Sequence, residues 1–412
     1  MGLFKSGVVV ATAVALSALA TDAGASSAPA PAAAVGELQA SVAAAAVEGG
    51  TRFVPMAPLR VLDTRYATGV PGTSPVGAGK AIDVSMVGKV PDDAVAVVMN
   101  VAGTSPTADT FVTVWAFGIP QPTASNLNFA RGETRSNAVV SEIGLDRKIA
   151  LYNNAGTTHL IADLAGYYTE STTNSSPFTT VSPVRVLDTR EGTGVVGPGK
   201  TIEVDFTGKV DPAATAVTIN LAGVDATQST HVTAWPTGSA QPNAASLNLA
   251  PRVATPNHVT VALGSDRKIS LFNNAGSAHL IVDLSGYYSP SSTLLFYPFA
   301  PVRSYDTRTN NDGLGGPDSF NLIYDGLAPE VKAFVCNVAG TNTTRDTFVT
   351  VWPAGQPKST ASNLNLAPGQ TAPNMVTAGI GVDSEYNLPA VSFYNNSGHV
   401  DLIVDISGYF GY

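Results

Sequence analysis

Cysteine is almost absent. The 412 residues contain one, Cys336, so no intramolecular disulfide can form. Charge is also scarce: Asp, Glu, Lys and Arg make up 13% of the chain, where ~25% is usual. The surface must therefore be covered by Ser, Thr, Asn and Gly. The charge that exists is acidic, with 31 Asp and Glu against 22 Lys and Arg, a net −9. With no basic run, this balance excludes nucleic acid as a partner, because phosphate backbones are held by clustered Lys and Arg. There is no nucleophile elbow, zinc motif, phosphate loop or EF-hand loop, so neither a cofactor nor a metal is expected. Beyond the N-terminal segment, no apolar run reaches the ~20 residues that span a bilayer.

The N-terminus itself has the pattern of an export signal. Lys5 precedes an uncharged apolar stretch from Gly7 to Ala20, and Ala18-Leu19-Ala20 or Ala23-Gly24-Ala25 offers small residues for cleavage. Residues 1–25 are read as a signal peptide and residues 26–50, rich in Ala, Pro and Ser, as a spacer. The mature chain is expected to be secreted, extracellular and without a membrane span, in possible association with the cell wall.

What is present is repetition. Arg60-Val61-Leu62-Asp63-Thr64-Arg65 returns as Arg185-Val186-Leu187-Asp188-Thr189-Arg190 and as Arg303-Ser304-Tyr305-Asp306-Thr307-Arg308. A closing motif returns in step: Asp163-Leu164-Ala165-Gly166-Tyr167-Tyr168, Asp283-Leu284-Ser285-Gly286-Tyr287-Tyr288 and Asp405-Ile406-Ser407-Gly408-Tyr409-Phe410. The spacing is of domain length, beyond the ~20–50 residues of solenoid repeats. Three modules follow: residues 51–169, 177–289 and 295–412.

Within a module, short alternating segments such as Ala81 to Val87 read as half-buried strands. Ala94 to Ala102, nearly all apolar, reads as a central strand. Asn153-Asn154-Ala155-Gly156 is a hairpin turn. About eight short strands per module with no helical period predict an all-β chain of three tandem antiparallel β-sandwich modules. The alternative is a six-bladed β-propeller with two blades per repeat. The Ser/Thr-rich linkers favour separate beads.

Candidate residues follow from the repeats. Asp63 and Arg65 lie two apart on one strand face, as do Asp188 with Arg190 and Asp306 with Arg308. The triplicate pairing reads as a structural ion pair at a strand end, with ligand binding as the alternative. Asp163, Asp283 and Asp405 read as hydrogen-bonded structural carboxylates. His159 and His279 lie four residues before two of them, but the third copy has Asp401 there, which disfavours a His–Asp pair. Cys336 matches Met99 and Ile219 and reads as a buried thiol.

The three tryptophans, Trp115, Trp235 and Trp352, occur once per module. An exposed ring could stack on a sugar. The alternative is burial against the following Pro/Gly loop. Asn126, Asn128, Asn248, Asn363 and Asn365 follow shortly after. Their amides suit sugar hydroxyls or loop backbone equally.

On Arg185 to Arg190, Ala216 to Leu221, Thr233 to Gly238, Ser246 to Asn248 and Val282 to Tyr288, the chain resembles a repeated module of exported proteins of actinobacteria and some other bacteria. The likeness covers nearly all of residues 53–412. The third copy departs from the pattern at Ser304-Tyr305 and Asn387-Leu388-Pro389. The resemblance implies an exported, accessory role, since such modules accompany wall hydrolases or stand alone at the surface. It brings no ligand or catalytic residue.

The expected function is a non-enzymatic, multivalent binder of cell-wall or extracellular polysaccharide. Alternatives are a structural protein of a matrix or surface layer with a surface-protein partner, and a carboxylate-dependent glycan hydrolase.

Overall fold

The computed structural model describes residues 26–309 and 312–412, so the expected signal peptide lies outside the described residues. The segment read as a spacer contains a short strand β1 (Ser26–Pro29) and a helix α1 (Ala32–Glu48). Module 1 comprises β2 (Arg52–Asp63), β3 (Lys80–Ser85), β4 (Ala94–Thr104), β5 (Thr110–Ala116), β6 (Leu127–Phe129), β7 (Arg135–Glu142), β8 (Lys148–Asn153) and β9 (His159–Thr169). They form two four-stranded sheets in the orders β2-β9-β4-β7 and β3-β8-β5-β6, with every pairing antiparallel.

Module 2 repeats this plan with β10 (Phe178–Asp188), β11 (Lys200–Asp205), β12 (Ala216–Val224), β13 (Thr230–Pro236), β14 (Leu247–Leu249), β15 (Thr255–Ala262), β16 (Lys268–Asn273) and β17 (His279–Tyr288). Module 3 comprises β18 (Leu295–Asp306), β19 (Leu314–Ile323), β20 (Val331–Thr341), β21 (Thr347–Pro353), β22 (Leu364–Leu366), β23 (Ala372–Gly379), β24 (Gly381–Val382) and β25 (Pro389–Gly411). Here the last hairpin of the other modules is one continuous strand, β25, which pairs in both sheets. The fold is all-β with sandwich modules, as the strand pattern predicts, and not a propeller.

The closing motif has a packing cause. A side chain at Gly166 would sit 2.3 Å from the Phe53 ring and 2.5 Å from the Val54 carbonyl. Gly286 and Gly408 meet Phe178 and Phe296 in the same way. Only glycine lets that ring lie flat across its neighbour strand.

The modules are not separate beads. In β4, Val97, Met99 and Val101 fill the sandwich core, while Ala96 and Val98 face a second apolar cluster shared by all three modules. Phe53, Tyr168, Phe178, Tyr288, Phe296 and Phe410 meet there, with ring centroids 4.0–6.4 Å apart. The Tyr168 and Tyr288 hydroxyls bond each other at 2.6 Å.

The linkers take part in the joint instead of separating the modules. Phe53 exchanges backbone hydrogen bonds with Ser176, Phe178 with Leu294, and Thr51 with Phe296. The physical reason is that each module presents an apolar inner face, and only the other two can remove it from water.

A ring of buried asparagines closes the joint. Asn137, Asn257 and Asn374 donate to the Oδ1 atoms of Asn337, Asn100 and Asn220 at 2.8, 2.9 and 3.0 Å. Their own Oδ1 atoms accept from the backbone N–H of Met375, Ala138 and His258 at 2.9, 3.1 and 2.9 Å. Each of these bonds crosses a module boundary, and the sequence of boundaries is cyclic.

Helix α1 precedes module 1 in the chain but packs on module 3. Leu38, Val42 and Ala45, spaced for one helix face, are buried in a core with Tyr297, Phe299 and Tyr324. β1 pairs in parallel with β19, and Ser27 Oγ donates to Asp383 at 2.8 Å. Among the described residues, no helix is long and apolar enough to cross a membrane.

Two predictions follow from the joint. Asn374→Ala leaves Asn220 Oδ1 and the His258 N–H without partners, and each unpaired buried group costs ~1–3 kcal/mol. Denaturant unfolding should show a loss of at least about 2 kcal/mol, against almost none for Asn154→Ala on the surface. Burial drives the His258 imidazole down from 6.5 to about 3. Across that window the unfolded chain holds a proton that the folded chain does not. Stability from this group is complete above pH 6.5 and falls on acidification by up to ~1.4 kcal/mol per pH unit. His258→Met, which installs the residue of module 3, should flatten the dependence of the unfolding midpoint on pH between 6.5 and 4.

Candidate functional site

The Asp-Thr-Arg corner is built identically three times. Asp63 Oδ1 accepts from Arg65 N and Nε at 3.1 and 2.9 Å, and Oδ2 accepts from Arg65 Nη2 at 2.7 Å. Asp188 with Arg190 and Asp306 with Arg308 repeat this fork. A second arginine, two residues before the Leu or Tyr of each motif, ties the corner to the closing strand. Arg60 forks onto Asp163 at 2.8 and 3.1 Å and reaches Asp63 at 3.2 Å. Arg185 and Arg303 do the same with Asp283 and Asp405.

Electrostatics distinguish the two carboxylates. Burial pushes the Asp163, Asp283 and Asp405 carboxyls up, and the arginine forks offset this only in part. At Asp63 burial also raises the pKa, but the Arg65 side chain and N–H, with Arg60, outweigh it and hold the carboxyl below its ordinary range. The threonine of the motif has its own role. Thr64 Oγ1 lies 2.9 Å from His159 Nδ1, and Thr189 lies 3.0 Å from His279. Thr307 donates to Asp401 at 3.1 Å. Either residue at that position can accept the hydroxyl proton, which is why the third copy tolerates Asp for His. Cys336 is buried, and burial pushes its thiol up to about 12.

The tryptophans do not offer a stacking face. Trp115, Trp235 and Trp352 are 8, 6 and 6% exposed. Their indole N–H groups donate to Ile119, Ser239 and Gln356 carbonyls at 3.2, 3.1 and 3.0 Å. The loop after each strand folds back over the ring, and Thr113, Thr233 and Thr350 donate to it as well. Of the asparagines, Asn126 and Asn363 are buried and accept from Val114 and Val351 N–H. Ser246 takes that role in module 2.

Asn128, Asn248 and Asn365 stand elsewhere. Each lines a polar cleft at a module boundary. The clefts occupy about 480 Å³ between modules 1 and 2, 410 Å³ between 2 and 3, and 320 Å³ between 3 and 1. Every cleft combines such an asparagine with an asparagine of the hairpin turn (Asn274, Asn396 or Asn154) and the first residue of the middle strand that points away from the sandwich core (His231, Phe348 or Phe111).

The loop that buries each tryptophan leaves this earlier position half-exposed. Phe111 packs against Tyr152 at 6.3 Å and Phe348 against Tyr394 at 6.0 Å. Tyr394 is capped by Lys358 Nζ at 3.4 Å from its ring centre. Sequence reading missed Arg60, Arg185 and Arg303, although the fixed Arg-x-x-Asp spacing carried the signal. It singled out the tryptophans instead of these aromatics and read the turn asparagines only as turn formers. No group of three or more His, Cys, Asp or Glu is placed to hold a metal among the described residues.

No family model matches the chain, and no curated protein matches it. Among solved structures it is similar to a protein of an archaeal virus with a triple jelly roll fold, at 8% identity over 89% of this chain and 92% of that one, TM-score 0.18. It is also similar to a chain of Sulfolobus Turreted Icosahedral Virus, at 9% identity over 88% and 91%, TM-score 0.18. A third is the major capsid protein P2 from bacteriophage PM2, at 10% identity over 57% and 99%, TM-score 0.16. Likeness at this level carries no argument about role.

If the tryptophans are structural, Trp235→Ala should cost ~3–5 kcal/mol of stability, as large aromatic truncations in cores do. Calorimetric unfolding measures this, and a midpoint equal to that of the parent chain contradicts the assignment.

Proposed function

We propose that this chain is an exported, non-catalytic binder of cell-envelope or extracellular glycan that engages its ligand through the three boundary clefts. The observation that carries the reading is the threefold recurrence of one polar constellation: two asparagine amides beside a half-exposed ring, in a cleft wide enough for a sugar unit. Amides supply both donor and acceptor to hydroxyls, and a ring supplies the apolar contact. Each cleft is weak alone. On a polymer, three on one rigid body act together, because the second and third contacts form at high effective concentration. The sparsely charged surface and the resemblance to exported modules support the address.

The test is retention of the full chain on purified wall and storage polysaccharides, followed by a glycan array. The variant Phe111→Ala/Phe272→Ala/Phe348→Ala changes one ring per cleft and should lower retention at least tenfold while remaining folded. Absence of glycan binding together with ordered polymers in light scattering would replace this reading by that of an assembly protein.

A further inference from the structure

The three clefts are not chemically equal, and the differences concentrate at the boundary of modules 1 and 2. Where the others present Phe111 and Phe348, this cleft presents His231. Where Ser125 and Ser362 donate to Asn128 and Asn365 at 3.1 and 3.0 Å, module 2 has Ala245. Asn248 Oδ1 is consequently buried with no partner. The arginines differ too. Arg185 donates across its boundary to the Thr360 carbonyl at 3.0 Å, and Arg303 to Thr123 at 3.5 Å. Among the described residues Arg60 makes no corresponding bond, although Asn243 stands at that position. Arg60 and Arg65 both line the cleft, and Arg65 Nη1 is not engaged by its fork.

We propose, building on the glycan reading above, that this one cleft is specialised for an acidic sugar unit, a uronate whose carboxylate meets the outward N–H groups of Arg60 and Arg65 and whose hydroxyl donates to Asn248 Oδ1. An unpartnered buried acceptor demands a donor, and a guanidinium edge matches a carboxylate. Asp63 and Asp163 balance the formal charge of the two arginines, so a ligand carboxylate is held by directed N–H bonds and not by net charge. The site therefore suits a singly charged carboxylate and not a phosphate dianion. His231 completes the wall. Burial and the positive charge of Arg60 hold its imidazole below the ordinary value, so an anion bound beside it must raise it.

The probes are oligogalacturonate and its fully methyl-esterified counterpart, which share the sugar backbone and differ in the charge and methylation of the carboxyl, titrated into the full chain. The expected result is at least tenfold tighter binding of the acid form, weakened by salt, with an upward shift of the His231 titration followed by NMR. The variant His231→Phe/Ala245→Ser installs the residues of the other modules, which fit this fold already. It should reduce the preference for the acid, because the imidazole that gains a proton beside the anion is gone, with an unfolding midpoint equal to or above that of the parent chain, because the introduced hydroxyl partners Asn248 Oδ1. Equal binding of acid and ester, or a preference undiminished by the double variant, overturns the proposal. If neutral glycans still bind in a manner sensitive to Phe111→Ala and Phe348→Ala, the general reading stands and only the specialisation falls. If neither acid nor neutral glycan binds, both fall.

Discussion

Desolvation of the three inner module faces is the constraint on which the rest of this structure depends. Each module carries a strand that is buried on both sides, and a lone sandwich covers only one of them. Association hides the second side but also takes backbone and amide groups out of water. The asparagine ring answers that problem, because every amide and facing N–H in the ring finds its partner on a neighbouring module. Apolar contact supplies the drive. The ring fixes rotation and register, since a slip at one boundary leaves unpaired groups at all three.

The clefts are a consequence of this closure. Two convex sandwiches packed along an inner edge diverge toward the outside, and the groove between them is lined by whatever the outer sheet and its hairpins present. The arginine forks stiffen this region. Arg60 connects the first strand, the corner and the closing strand of module 1 through three bonds to two carboxylates. Bidentate geometry holds such a corner at a partly exposed position better than a single ion pair. The triplicate motif is thus a frame that positions the cleft wall.

Much of the fold was legible in the sequence. Alternating segments, hairpin turns and the long repeat identify sandwich modules, and the paired Asp and Arg residues identify the corner. The association of modules was not recognised, although the signal was there: Ala94 to Ala102 is apolar at consecutive positions, as only a strand covered on both faces should be. The polar linkers pointed the other way because Ser176 and Ser289 are buried by backbone pairing that composition does not reveal. The tryptophans misled for a related reason. Strand alternation gives the side of the sheet but not whether a loop returns over it. The N-terminal helix was hidden by alanine, which suits a spacer and a docked helix alike, and its burial rests on Leu38, Val42 and Ala45 facing aromatics more than 250 residues away in the chain.

The copies diverge in a way that separates frame from function. At the axis, Tyr168 and Tyr288 satisfy each other's hydroxyls, and the third position is Phe410. An odd hydroxyl in that dry cluster would lack a partner and cost ~1–3 kcal/mol, so closure itself dictates that one copy differ. At the ring all six asparagines are kept. No such pairing rule applies in the clefts, where replacement of phenylalanine by His231 and of serine by Ala245 leaves the frame intact and even orphans an acceptor. Differences that stability does not require, gathered on one boundary and pointing into one groove, are what distinct ligand contacts at otherwise equivalent sites would produce.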